Sequence, residues 1–497
     1  MTDLLTHPLW QADSLGSPLP DTEHGISVSL PLWQYVIGYE EKDPAVVDKF
    51  RSGYPRFCCP PAISSLFAEA EKRHARKGER ALVFPRKVHA QRCLEFVYER
   101  SATESSQCRV VEFSEDNPLG VALFPEADYP VARQFWRFCG EVVSTRQAAD
   151  ALGLIPATTT KADGQEAHRI LRQRLAQLSG QSTDDIFLFP SGMAASFAVH
   201  RMLLQAFPGR RTMQLDFPYV DVLKLQQQFG RGAVFIPIMD DAGYAQAEQR
   251  LQSEPLAGIF SEVPTNPLLR CLDYERISKM RGDVPIVIDD TVGTVINVDA
   301  FRYADVVTTS LTKAFSGAGD VMAGCVILKT ESPHNAAFRK FLRGKADHQL
   351  FHGDAVALEI NSRDFANRVT KASINSIALY HALKDHPKVD RLWHTINEGG
   401  PGYAALQRHP EAHSSLFSFT LKDGSKAPAF YDALRVCKGP SLGTDFTLVC
   451  PYTLLAHYDE LDWAESCGVP RYLIRVSAGL EETQDLIQRF NEALERA

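Results

Sequence analysis

The run Val306-Val307-Thr308-Thr309-Ser310-Leu311-Thr312-Lys313-Ala314-Phe315-Ser316-Gly317 decides how this chain is read. Its β-branched start predicts a short strand, and the hydroxyl-flanked exit presents a lysine. Upstream, Val284-Pro285-Ile286-Val287-Ile288-Asp289-Asp290-Thr291 reads as a buried parallel strand that delivers Asp289 at its carboxyl end. Earlier still, Asp185-Ile186-Phe187-Leu188-Phe189-Pro190-Ser191-Gly192-Met193-Ala194-Ala195 is an apolar strand, a Ser-Gly turn and the start of an apolar helix running to about Phe207. Strands alternate with helices over about 136–375. That predicts an α/β fold with a mixed or mostly parallel, doubly wound sheet.

Each element has a plain reading when taken singly. Asp289 or Asp290 caps a turn, Lys313 is a solvated loop lysine, and Ser-Gly is a common helix cap. Their order in the chain points further. A buried carboxylate is expensive unless it faces a cation, and a helix N-terminus with hydroxyls beside it holds an anion. Pyridoxal 5'-phosphate needs a lysine amine for its aldehyde, a carboxylate for its ring nitrogen, and hydroxyls and backbone amides for its phosphate. Lys313 and Asp289 supply the first two. Ser191, Gly192, Met193, Ser310 and Thr312 are the candidates for the third.

Five segments, in order, resemble the signature segments of the Cys/Met-metabolism pyridoxal-phosphate enzymes. They are Phe189-Pro190-Ser191-Gly192-Met193-Ala194-Ala195, Glu262-Val263-Pro264-Thr265-Asn266-Pro267, Ile288-Asp289-Asp290-Thr291, Ser310-Leu311-Thr312-Lys313 and Leu473-Ile474-Arg475-Val476-Ser477-Ala478-Gly479-Leu480-Glu481. The fungal-type cystathionine γ-synthases are the most similar group. Gly38-Tyr39-Glu40-Glu41 and Gly53-Tyr54-Pro55-Arg56-Phe57 look like the N-terminal extension of those members. The resemblance implies fold type I, the aspartate-aminotransferase fold. It divides the chain into an N-terminal extension (1–135), a large cofactor-binding domain (136–375) and a small α+β C-terminal domain (376–497). It further implies that Lys313 carries the cofactor and acts on protons, and that Asp289 pairs with the ring nitrogen. Tyr219 would stack on the ring and assist proton transfer, and Asn266 would bond the phenolic oxygen. Arg475 would clamp the substrate carboxylate, and Ser441, in Ser441-Leu442-Gly443, would lie near the substrate.

Two departures stand out. Most family members carry a Tyr-x-Arg pair that reaches into the neighbouring subunit's site, whereas Ser144-Thr145-Arg146 occupies that region here. Arg146 is therefore the candidate phosphate ligand in trans, with its tyrosine missing, and the active unit is expected to be a homodimer or homotetramer. Asp290 also stands where asparagine is usual, placing a possible negative charge beside the ring.

The implied reaction is γ-replacement on an O-acyl-homoserine through a vinylglycine-type intermediate, with cysteine giving cystathionine. The same chemistry with a carbon or amine nucleophile, and a cystathionine lyase, stay open. So does a non-catalytic scaffold, against which intact Lys313 and Asp289 count.

Composition agrees with an enzyme. The chain has 497 residues and a formal net charge of −8, with only short basic clusters such as Lys72-Arg73-His74-Ala75-Arg76-Lys77, so no nucleic-acid partner is expected. No stretch has the length of a membrane span and the first residues lack a signal-peptide pattern, so a cytoplasmic protein is expected. The ten cysteines are scattered and form no Cys-x-x-Cys pair. Neither a disulfide framework nor a metal site is expected.

Overall fold

The computed structural model of the protein describes residues 3–101, 107–154, 159–344 and 350–497. Its centre is a seven-stranded sheet. In spatial order the strands are Ile186–Phe189, Gly324–Leu328, Val306–Thr309, Ile286–Asp289, Leu256–Glu262, Arg211–Leu215 and Ala233–Ile236. All run parallel except Gly324–Leu328, which is antiparallel to both neighbours. Alternate residues face opposite cores. Phe187, Phe260, Val287 and Val306 enter one apolar cluster, while Ile186, Ile259, Ile288 and Val307 enter the other. A sheet buried on both faces needs continuous apolar runs, and these strands have them.

Parallel pairing aligns strand ends. Asp289 sits opposite Thr308 on one side and Glu262 on the other. The edge carrying Lys313, Asp289 and Glu262 is thus a single edge, where ligand sites of open parallel sheets form.

The smaller C-terminal sheet has the order Val389–Trp393, Leu416–Leu421, Ile474–Ser477, Leu448–Pro451, Cys437–Lys438. The 19-residue helix Phe365–Leu383 joins the two domains. Its start buries Phe365 and Val369 in the large-domain core and its end buries Leu379 and Leu383 in the small one. A boundary at 375/376 falls inside that helix.

The stretch 1–135, read as one extension, is divided by where its apolar side chains are buried. Val28, Leu30, Trp33, Val36 and Val46 belong to the small-domain core. From Pro61 onward, a three-stranded antiparallel sheet (Glu79–Phe84, Gly120–Pro125, Arg109–Glu112) merges its core with the large domain. Phe135, for instance, meets Phe197 edge-on with ring centroids 6.0 Å apart. Among the described residues, no helix is long and apolar enough to cross a membrane.

Candidate active site

A cavity opens over the carboxyl edge of the central sheet. Its walls include Gly192, Met193, Tyr219, Asn266, Asp289, Ser310, Lys313, Ser441 and Arg475. Residues spread from 192 to 475 therefore converge as the resemblance implies.

Lys313 lies in the turn after Val306–Thr309 and is partly exposed to the cavity. Its Nζ donates to Ser441 Oγ at 2.9 Å. Burial, reinforced by the nearby Arg475 and Arg56 guanidinium groups, pushes its amine down to about 7. Asp289 closes the adjacent strand, and one of its oxygens accepts from Thr291 N–H at 2.9 Å. The Thr291 hydroxyl in turn accepts from Ser310 N–H at 2.8 Å, joining the aspartate loop to the lysine loop.

Burial raises the Asp289 carboxyl, and Glu262 is raised by burial and by Asp289 beside it. Glu262 was not foreseen as a site residue. It accepts from the backbone N–H of Tyr219 at 2.6 Å and of Asn266 at 3.1 Å, so one buried carboxyl orients two wall residues. Asp290 does not face the cavity: it accepts a short hydrogen bond from Thr309. Burial pushes it up to about 7, which keeps it largely protonated below neutrality, as the usual asparagine would be neutral.

Arg475, on strand Ile474–Ser477, donates to Asn266 Oδ1 at 3.2 Å and to the Ser441 carbonyl at 3.0 Å. Among the described residues no carboxylate forms an ion pair with it, so a buried guanidinium faces the cavity with its charge uncompensated. Because Asn266 Oδ1 accepts from arginine, its amide NH₂ is left as the cavity-facing donor.

The helix Gly192–Ala206 points its N-terminus at the lysine loop. A Cβ on Gly192 would lie 2.8 Å from Ser310 Cβ, so glycine is what permits this approach. Two expected phosphate hydroxyls are committed elsewhere. Ser191 Oγ donates to the Gly140 carbonyl at 2.7 Å and caps Ala194 N–H, while Thr312 Oγ exchanges hydrogen bonds with the backbone of Ala323. Neither is on the cavity wall; Ser310 and Ser196 are.

Arg146, expected to serve a phosphate of the neighbouring subunit, makes its contacts here within its own chain. It lies outside the cavity, bound to the Asp320 carbonyl at 2.5 Å and its carboxylate at 2.9 Å, with Asp354 at 3.5 Å. Tyr54-Pro55-Arg56 is a Tyr-x-Arg pair, and both of its side chains line the cavity of their own chain. The Tyr54 ring centroid is 5.6 Å from Lys313 Nζ. The spacing was visible in Gly53-Tyr54-Pro55-Arg56-Phe57, but it lies far upstream of the other segments.

A lysine, an aspartate and a helix N-terminus on one edge of a mostly parallel sheet define a pyridoxal-phosphate enzyme of fold type I. The donor set fits that cofactor: a depressed amine, a buried carboxyl for the ring nitrogen, and backbone N–H groups at Gly192 and Met193 for the phosphate. The chain belongs to the family described as Cys/Met metabolism PLP-dependent enzyme, which matches residues 163–495, and residues 62–144 match the N-terminal domain of fungal trans-sulfuration enzymes.

Among its relatives is a cystathionine γ-synthase of Neurospora crassa, 32% identical, with 97% of this chain and 98% of that protein covered. An L-2-amino-4-chloropent-4-enoate dechlorinase/desaturase of Streptantibioticus cattleyicolor is 31% identical, with 97% and 98% covered. A solved cystathionine γ-lyase from Micromonospora echinospora aligns with a TM-score of 0.59 at 25% identity, covering 67% of this chain and 87% of that one.

Proposed function

We propose that the protein catalyses γ-replacement on an O-acyl-homoserine, with cysteine as nucleophile and cystathionine as product. The observation that carries this reading is the pairing, in one cavity, of a depressed lysine amine with a buried arginine that has no carboxylate partner among the described residues. The full-length likeness to a cystathionine γ-synthase supports the choice of substrate.

Bound pyridoxal phosphate supplies an aldehyde that condenses with amines and a ring that draws electrons from the adjoining carbon. The remaining work falls to the chain. Arg475 receives the substrate α-carboxylate, held in place by Asn266 and the Ser441 carbonyl. Lys313, its amine lowered to about 7 by burial, would be an unprotonated base near neutral pH. Its amine, steadied by Ser441 Oγ, would move the substrate's α-proton and then a β-proton, the acyloxy group leaving the γ-carbon as carboxylate; after the cysteine thiolate adds there, protons return to the β- and α-carbons. Asp289 would hold positive charge at the ring nitrogen, and a cation there would draw its raised carboxyl back toward ionisation. Tyr219 would cover the ring, and Gly192, Met193 and Ser310 would hold the phosphate.

A second reading keeps the residues and changes the partner: γ-substitution by a carbon or amine nucleophile in specialised metabolism, or a lyase with none. It is favoured by the relative named for acting on a chlorinated pentenoate at nearly the same identity. Incubation with O-acetyl-homoserine and either cysteine or a β-keto acid, read by mass spectrometry, separates the two. Cystathionine as the main product supports the first. Keto-acid adducts without cystathionine, or ammonia and keto acid released from cystathionine alone, overturn it.

A further inference from the structure

Arg475 is 5% exposed, and its charge has no carboxylate partner among the described residues. A buried cation needs compensation, and Asn266 Oδ1 and the Ser441 carbonyl supply part of it. The rest comes from the neighbouring strand. Cys450 stands opposite Arg475 where strand Leu448–Pro451 pairs with Ile474–Ser477, and the chain then turns into the short helix Tyr452–His457.

That turn brings the Tyr452 ring to the guanidinium. Its centroid lies 5.1 Å from Arg475 Cζ, within the range of a cation over an aromatic face. Tyr452 N–H donates to the Leu473 carbonyl at 2.9 Å, so the residue is pinned to the segment that carries Arg475. His457 packs beside it with ring centroids 5.9 Å apart, and His457 in turn meets Phe217 at 5.2 Å and Trp463 at 5.7 Å. The outer end of this aromatic group is tied by Glu460, which shares a hydrogen bond with His457 Nδ1 at 3.0 Å and accepts from Lys224 at 3.0 Å.

Two features separate Tyr452 from an ordinary core tyrosine. It is 2% exposed, and its hydroxyl is buried with no hydrogen-bond partner among the described residues. An unpaired buried hydroxyl costs stability, so the hydroxyl is not what fixes this side chain in the fold. Nor is Tyr452 a wall residue of the cavity. What it offers is a ring face toward a cation. A carboxylate in that place would neutralise Arg475 and compete with an incoming anion, whereas an aromatic face steadies the charge and leaves it free to meet one.

We propose that Tyr452 is a positioning residue for Arg475: its ring sets the plane of the guanidinium and stabilises the free charge, which keeps the site ready for the α-carboxylate of an amino acid. The inference rests on the reading of Arg475 as the carboxylate clamp, and not on the nucleophile or the leaving group.

The test titrates the cofactor-loaded protein with L-alanine, which has no γ-carbon to react, and with ethylamine, the same amine without the carboxylate. Both are read from the shift of the visible band, and the ratio of the two dissociation constants measures the preference for a carboxylate. Arg475→Ala is expected to lower that preference about 30- to 100-fold. Tyr452→Leu is expected to lower it about 3- to 30-fold, the range of a cation–π contact, with ethylamine binding unchanged. Tyr452→Phe keeps the ring and should hold the preference within about twofold, since an unpartnered hydroxyl contributes no bond.

A wild-type preference in Tyr452→Leu overturns the role of Tyr452. So does an equal weakening of L-alanine and ethylamine, which marks general damage to the site, and so does a loss in Tyr452→Phe as large as in Tyr452→Leu, which shifts the work to the hydroxyl. Should Tyr452→Leu fail to fold, Tyr452→Met, which fills the space without a ring, is read in its place. An unchanged preference in Arg475→Ala overturns the clamp itself, whereas a loss there with none in Tyr452→Leu overturns only the role of Tyr452.

Discussion

Two lysines, one in each domain, are depressed to about 7 by burial: Lys313 in the large domain and Lys438 in the small one. Lys438 is fully buried, and its Nζ is spent on the carbonyls of Pro31 at 3.0 Å and Asp432 at 3.1 Å, with the Tyr431 ring 5.0 Å away. Lys313 keeps a face on the cavity, touches only one hydroxyl through Nζ, and stands across from Asp289 and Arg475. A shifted amine is therefore not a catalytic amine. What separates the two is whether the nitrogen lone pair has somewhere to go.

That contrast can be broken most directly at Lys313. Lys313→Ala should remove the visible cofactor band and lower kcat by about a thousandfold or more, the loss of both carrier and proton shuttle. A variant that still turns over at the wild-type rate ends the comparison. Next in size, Arg475→Ala should raise KM for the amino acid about 30- to 100-fold, equivalent to roughly 2–3 kcal/mol of charge-assisted binding, while kcat falls less. An unchanged KM would show that the uncompensated guanidinium serves the fold.

Lys438→Met should leave kcat/KM within about twofold while changing stability by about 1–3 kcal/mol, measured by urea unfolding of the apoprotein. A large activity loss at unchanged stability would put Lys438 in the site. The smallest effect concerns pH. The free Lys313 amine attacks the cofactor only when unprotonated, so apoprotein reconstitution should quicken as pH rises through about 7 and level off above it. A solvated lysine would place the midpoint near its ordinary 10.5. The sign for stability agrees: between about 7 and 10.5 the unfolded lysine binds a proton the folded one lacks, so this residue's contribution to stability is lost as pH falls.

The same contrast explains what local reading missed. Glu262 figured only as part of a signature segment and had no role assigned, yet it orients Tyr219 and Asn266 together. Arg146 pairs with Asp320 and Asp354 of its own chain, contacts that the local sequence did not announce. Asp290 was read as a possible charge beside the ring, and the Thr309 hydrogen bond and burial take it out of the site. In each case the deciding neighbour is remote in sequence or lies on another strand.

The amino-acid order by itself determined the sheet edge. Apolar β-branched runs become parallel strands because only burial on both faces satisfies them, and parallel register then sets Asp289 beside the strand that ends in the Lys313 loop. The glycine that opens helix Gly192–Ala206 is legible for the same reason, since its constraint is local. Tertiary structure alone decided that Tyr54 and Arg56 enter their own chain's cavity. Their approach depends on where Trp33, Val36 and Val46 find apolar cover and on a buried carboxylate at Asp221 strong enough to draw a guanidinium out of water. Short-range periodicity carries no information about either, because both are settled by surfaces that meet only after the domains have formed.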